Sequence, residues 1–384
     1  MAGLLIGLSI FQAEFDFGVP QFRMVFQPLL IALAAGFALV AARIWIGRGG
    51  ALAAALIFLA VRGAIALAVG PVLGETTPAF PLYLGEALCV ELLGLALGRD
   101  RPLALGIGGG ALAGTVGFAS EWAWSGAVMP IPWTGGLLPE GLVVAAVAGI
   151  AGGLLGSLLG AGLRGRLPRP GVARGAFAGS VVALGALLAI GLSTSVPRDA
   201  RAVVHLSQTS PAPQRDAVVE ARITPPGLAD DAAWANITSW QGGGLVVSEL
   251  DRVSPDTWRS AEPVPLHGEW KASLRIQNGS ELVAVPIYMS EDTAIPAPAV
   301  PARASFTREF VADHDVLQRE VSDDVPGWLW GAASGAVLAL YAIFLATLAW
   351  GVGRVARGTA RGTGIQAPAT NPLAADVERA SVYV

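Results

Sequence analysis

Three ionisable residues in otherwise apolar stretches are the first candidates for chemistry: Arg62, Glu86 and Glu91. Arg62 stands about 11 residues, roughly 16 Å at 1.5 Å per residue, from the arginine-bearing end of its stretch. Glu86 stands about 12 residues from the corresponding end of the next stretch. This spacing predicts equal depth near the middle of a bilayer. Glu91 lies one to two turns nearer the arginines and about 140° around the helix. A lone charge at that depth is costly, so Arg62 and Glu86 are expected to meet, with Glu91 as a secondary partner. Two kinds of role fit the trio. One is a proton or ion relay, or a polar site for a substrate. The other is a static pair that fixes helix register.

A second set lies in Ser120-Glu121-Trp122-Ala123-Trp124-Ser125 and the following Met129-Pro130-Ile131-Pro132-Trp133. Trp122, Trp124 and Trp133 suit an aromatic belt, where an indole keeps one polar edge wet at the membrane surface. The competing reading is a vestibule facing lipid or substrate, with Glu121 and Glu140 as its polar members. His205, His267 and His314, the three histidines, would need to converge with Met289 or carboxylates to hold a metal. They fall on different strands and loops, so the residues themselves call for no metal. No nucleotide loop, Cys-x-x-Cys, His-Glu-x-x-His or Gly-x-Ser-x-Gly run occurs. The reading is therefore non-enzymatic, and no nucleic-acid partner is expected.

The elements that must carry these residues are read from composition. Of 384 residues 53% are hydrophobic and 14% charged, with a mean hydropathy of +0.58. A soluble chain carries nearer a quarter charged residues. The excess gathers in stretches long enough to cross a bilayer, which takes about 20 residues each. Seven transmembrane helices are predicted, near 26–46, 51–73, 80–97, 103–122, 138–163, 176–194 and 327–350. Residues 1–25 form an extracytoplasmic N-terminal segment, whose apolar start at 1–11 is too short to span and is expected to be interfacial or half-buried. Residues 26–194 form a six-helix domain, 327–350 the seventh helix, and 351–384 a disordered Pro/Ala-rich tail. The single cysteine, Cys89, lies in the third stretch, so no intrachain disulfide can form.

Orientation follows from arginine placement. Arg43, Arg48, Arg99, Arg101 and the run from Arg164 to Arg174 mark alternate connections, while the others carry Glu75, Glu121 and Glu140. A multi-pass cell-membrane protein is expected, with its N-terminus outside, its C-terminus cytoplasmic and the bilayer as its first partner. Glycines recur every four positions at 106/110/114, 152/156/160, 175/179 and 327/331/335, a spacing that lets helix backbones approach closely. A dimer seam through the seventh helix is the alternative use of the last stripe.

The polar block at 195–325, with 19 acidic and 11 basic residues, is expected outside the membrane. Alternating runs at 202–206, 217–223, 244–250, 270–276 and 281–287 predict short antiparallel strands. Asn278-Gly279 predicts a hairpin, since that dipeptide tolerates the positive φ of a type I′ turn. Trp270 is expected to point inward. The fold class is thus a polytopic α-helical membrane protein of about seven transmembrane helices with an inserted all-β, Ig-like sandwich.

Trp240-Gln-Gly-Gly-Gly244, Pro265-Leu-His-Gly-Glu-Trp-Lys271 and Val285-Pro-Ile-Tyr-Met-Ser-Glu-Asp292 resemble the small Ig-like extracytoplasmic domains of the YtkA and FixH type. Those domains occur beside or fused to multi-pass proteins of the copper-resistance (CopC/CopD) kind. The resemblance covers about residues 200–312 and implies a membrane-coupled accessory or binding role, with copper as the cofactor it would bring. The chain departs from the copper-binding members in having no His-x-His pair and no Met-rich cluster. Two functions are carried forward. One is an accessory or scaffold protein whose outer domain binds a protein partner or envelope component. The other is a transporter of a metal ion or small solute that uses Arg62, Glu86 and Glu91.

Overall fold

The computed structural model describes residues 1–15, 23–68, 70, 80–129, 131–241, 244–291, 297–317 and 327–362. Six helices in it are long and apolar enough to cross a membrane. The helical part comprises α1 (Ala2–Phe15), α2 (Phe26–Ile46), α3 (Gly50–Leu67), α4 (Leu84–Leu97), α5 (Pro102–Leu112), α6 (Phe118–Val128), α7 (Leu137–Leu163) and α8 (Pro170–Leu192). The π-helical turn Ala113–Gly117 joins α5 to α6 in one continuous helix, Pro102–Val128. Proline opens α5 and α8, where its missing N–H costs no helical bond.

Helix α4 is shorter than the third expected span at 80–97. It has 14 residues, about 21 Å, and falls short of a hydrocarbon core about 30 Å thick. Residues 80–83, expected as its first turn, are not helical. The N-terminal stretch departs in the other direction. It folds as α1, and Leu4, Leu5 and Ile6 are buried in the bundle core, beyond the interfacial or half-buried position expected for them. The end of the second expected span (71–73) and Glu75 lie outside the described residues, as do residues 363–384, most of the expected tail.

Helix α7 is the axle of the bundle, held on two glycine faces. A Cβ on Gly106, Gly110 or Gly114 would strike the backbone oxygens of Gly153, Gly149 and Ala145 respectively. A Cβ on Gly152, Gly156 or Gly160 would strike those of Leu33, Phe37 and Ala41 on α2. Two of the four stripes thus serve close contact within the chain, while Gly175, Gly179, Gly331 and Gly335 face open space.

The β domain carries β1 (Arg201–Gln208), β2 (Asp216–Thr224), β3 (Trp234–Gln241), β4 (Gly244–Ser254), β5 (Thr257–Ser260), β6 (Val264–Pro265), β7 (Lys271–Asn278), β8 (Glu281–Met289), β9 (Ser305–Glu309) and β10 (Val311–Ala312). Their order is β10-β8-β7-β3-β4-β5-β2-β1-β9, with β6 beside β2. The two ends of this path, β9 and β10, are consecutive pieces of one segment joined by buried Phe310. The antiparallel sheet therefore nearly closes on itself instead of forming two unlinked layers. Its core is aliphatic, with Val204, Val219, Ile237, Leu274, Ile276 and Val285 all fully buried.

All five expected strands are present, and β3 is the central one that alternation missed. Its burial is nearly continuous because both faces are covered, so no period of two survives. The expected hairpin joins β7 to β8 through Gly279 and Ser280, with positive φ at Gly279 alone, as in a type II′ turn and not I′. Trp270 precedes β7 and is only half-buried, which corrects its expected inward position. The buried indoles are Trp234 and Trp240. Short α9 (Asp313–Leu317) follows β10, and α10 (Gly327–Gly362) completes the described chain. As one continuous helix α10 runs 12 residues beyond the expected end at 350.

Candidate functional site

The intramembrane charges divide into two sites instead of one trio. In the first, Glu91 accepts the N–H groups of Gly49 (3.1 Å) and Ala51 (2.8 Å), at the start of α3. Its other partner is Arg43, whose Nε lies 2.9 Å from Glu91 Oε2 with both side chains buried. Arg43 comes from the last turn of α2 and lies across Gly94, where a Cβ would collide with the guanidinium. A carboxylate at a helix N-terminus and an arginine at a helix C-terminus each complement the helix dipole. Glu91 thus joins three helices, and its partner is Arg43 instead of the expected Arg62.

The second site surrounds the start of α4. Because that helix is short, its first amides end inside the bundle, where they need an acceptor. Glu121 supplies it: its carboxylate, 1% exposed, accepts Leu82 N–H at 3.0 and 3.1 Å and Tyr83 N–H at 2.7 Å. Tyr83 turns the chain with φ +57° and is wholly buried. Its phenol shares a 2.8 Å hydrogen bond with Ser9 of α1, and its ring stands edge-on to Phe58 of α3. The π turn makes this possible. Across this turn Gly106, Gly110 and Gly114 face α7, while Gly117, its last residue, faces Glu86 of α4. Glu121 beyond it reaches the amides of Leu82 and Tyr83.

Glu86, on the first turn of α4, lies against Gly117 and is 0% exposed. Neither of its carboxylate oxygens has a hydrogen-bond partner among the described residues. Arg62 does not bond it, and its guanidinium lies 5.2 Å from the centre of the Phe80 ring. Glu86 nevertheless packs against Gly117, one turn before Glu121 on the same helix. The expected Arg62–Glu86 contact is therefore not made, and Glu121, expected in an outer vestibule, is buried at the start of α4.

The three indoles also turn inward. Trp122 Nε1 donates to Thr134 O (3.3 Å), Trp124 Nε1 to Phe80 O (2.9 Å) and Trp133 Nε1 to Gln27 Oε1. Trp122 and Trp133 brace the connection between α6 and α7, and Trp124 ties α6 to the segment before α4, with Trp122 and Trp124 half-buried. Exposed Glu140 pairs with Arg23 at 2.9 Å, and Arg23 also donates to Ile190 O at the end of α8.

The β domain rests on this braced face. Met24 N–H donates to Gln277 Oε1 at 3.1 Å, and Trp234 and Leu282 join the core of the helical bundle. Between them lies a cavity of about 320 Å³ bounded by Ile131, Thr134, Trp234, Val247, Glu249 and Trp258. Within the domain, Arg275 forms a two-pronged ion pair with Asp313, 2.7 Å on each prong and wholly buried, and stacks 5.0 Å from the Trp234 ring. This pair ties α9 to the sheet. Arg275 alternates with apolar neighbours along its strand, which was the one signal for it in the sequence.

His205 and His314 are exposed, His267 is half-buried, and Met289 is buried on β8. His314 meets Asp315 at 3.0 Å. Among the described residues no group of three or more His, Cys, Asp or Glu side chains converges as a metal site would require. Compared with protein-family models, with curated proteins and with solved structures, the chain matches none.

Proposed function

We propose that this chain is a non-enzymatic membrane accessory protein whose β domain lies outside the cytoplasmic membrane and binds a protein partner or envelope component. The observation that carries this reading is the cavity of about 320 Å³ between the β domain and the indole-braced connection, with Trp234 and Trp258 in its wall. Aromatic side chains in a partly enclosed groove with a few polar neighbours suit recognition. The hydrogen bond from Met24 to Gln277 holds the domain against the helices, so an occupant would meet both parts at once. An Ig-like ancestry of the domain is supported by its antiparallel strands and aliphatic core. The orientation is supported by the arginines at the opposite end of the bundle.

Two measurements test the proposal. A reporter active only outside the membrane should work when fused after Gly227 and fail after Gly362, and the reverse result would overturn the orientation. Affinity purification from native membranes should then recover a component that is lost when Val247→Arg fills the groove. If everything recovered is indifferent to that substitution, the groove is not the binding site.

A second reading, transport of a cation or proton, is favoured by one observation: the wholly buried Glu86 carboxylate without a hydrogen-bond partner among the described residues. Flux through liposomes containing the parent protein, abolished by Glu86→Gln in a variant that still folds, would support transport over the accessory role.

A further inference from the structure

At the end of the bundle remote from the β domain, the last turn of α7 and the far part of α10 enclose a cleft of about 450 Å³. Its wall carries Arg164, Arg354 and Arg357. The cleft is held open by a close contact, since a Cβ on Gly162 would lie 2.8 Å from both methyls of Val355. Arg164 is partly engaged, donating to Arg99 O (2.9 Å) and Asp100 Oδ1 (3.1 Å). The hydrogen bond from Arg164, reinforced by Arg166, holds the Asp100 carboxyl below the usual carboxylate range. Arg354 and Arg357 have no acidic partner among the described residues.

The level of this cleft along the helices identifies its occupant. Trp350 of α10 meets Trp45 of the last turn of α2, with ring centres 5.6 Å apart and planes tilted by 60°. Tryptophan is enriched at membrane–water interfaces, so this pair, at the arginine-bearing end of α2, marks the membrane boundary. Arg354 lies one turn beyond and faces the Trp350 ring at 5.7 Å. On the apolar side, Leu345 and Val352 are exposed along α10. A molecule filling the cleft must therefore offer an anionic group to the guanidiniums and apolar chains to the neighbouring helix surface. We propose that this cleft binds the headgroup phosphate of an anionic phospholipid, gripped by Arg354 and Arg357 with Arg164 behind them. Guanidinium suits the task because its planar fork of donors matches phosphate oxygens.

The test uses the full chain in nanodiscs of mixed phosphatidylglycerol and phosphatidylcholine, released for native mass spectrometry. The parent should retain phosphatidylglycerol in preference to phosphatidylcholine. The double variant Arg354→Gln/Arg357→Gln should lose about thirtyfold in apparent affinity. The control Arg169→Gln/Arg174→Gln removes the same charge from the same end but outside the cleft, and should retain the lipid. Equal loss in the control would reduce the effect to surface potential and overturn the site. Retention by the cleft variant, or no preference in the parent, would overturn it as well. In detergent, phosphatidylglycerol should raise the melting temperature and millimolar inorganic phosphate should not. Equal protection by phosphate would replace the lipid with a free anion.

Discussion

Arg43 reaches across the seam between α2 and α4 to Glu91, its Nε 2.9 Å from the carboxylate, while Glu91 also closes the start of α3. Removing either partner strands a charge in a site remote from water, which typically costs about 3–5 kcal/mol. Arg43→Leu and Glu91→Leu should each lower the melting temperature and the folded yield in membranes. The double Leu variant should recover part of the loss, the remainder being the uncapped amides of Gly49 and Ala51. Purely additive losses would mean that the two residues do not act together.

Glu121 and Glu86 should respond in opposite ways to the same neutral replacement. Glu121→Gln weakens the hydrogen bonds from two N–H groups, Leu82 and Tyr83, and a bond to a charged acceptor contributes about 1.5–3 kcal/mol. Glu86→Gln removes a carboxylate that makes none among the described residues, and should leave the melting temperature unchanged or raised. A melt in which Glu86→Gln is the more damaging change would reverse these assignments.

This contrast also marks where the sequence was legible. Apolar stretches located the long helices, and alternation located β1, β2, β4, β7 and β8. Depth counting failed for the charges because it treated every stretch as a full span. Helix α4 begins four residues later than its apolar stretch, and Glu121, which the Trp-rich run places in a connection, lies on a helix that continues through a π turn to Val128. Arg43, at the end of its apolar stretch, signals only orientation until its partner is seen. The missed clue was Gly94, three residues after Glu91 and so on the same helical face, where a long side chain could lie.

In the β domain, burial ranks the tryptophans. Trp240, 4% exposed, should cost about 3–5 kcal/mol when replaced by Ala. Trp270, half-buried beside Gly244, should cost clearly less. Chemical denaturation of the full chain, followed by tryptophan fluorescence, ranks the two directly, and a costlier Trp270→Ala would place the core on the wrong side of β7.

The glycines divide by what faces them. Gly110→Val and Gly149→Val drive side chains into the partner backbone, and overpacking of this kind costs about 1–3 kcal/mol or more. Gly175→Ala and Gly179→Ala enter open space on α8 and should stabilise that helix by about 0.5–1 kcal/mol. Thermal melts in one detergent should separate the two pairs in sign.

Asp256, in the turn between β4 and β5, provides a pH test outside the membrane. The hydrogen bond from Arg222 holds its carboxyl below the ordinary value, reinforced by Thr257 and Ser254. A depressed folded-state value means its contribution is present above the unfolded value and fades as pH falls through the folded one. Asp256→Asn should therefore lower the melting temperature at neutral pH and converge with the parent in acid. A constant offset across that range would assign the effect to shape instead of charge.

The two glycine faces of α7 have a consequence for assembly. Most helix contacts immobilise long side chains that were mobile beforehand, and this loss of conformational entropy opposes association. Glycine has no rotamers to lose, and the backbone of a formed helix is already ordered. Bringing α2, α7 and α5 together at Gly36, Gly149 and Gly110 therefore carries little further entropic cost on the α7 side. This three-helix unit can come together as a rigid body, and the short helix α4, with its polar cap, can then dock onto a surface that is already set.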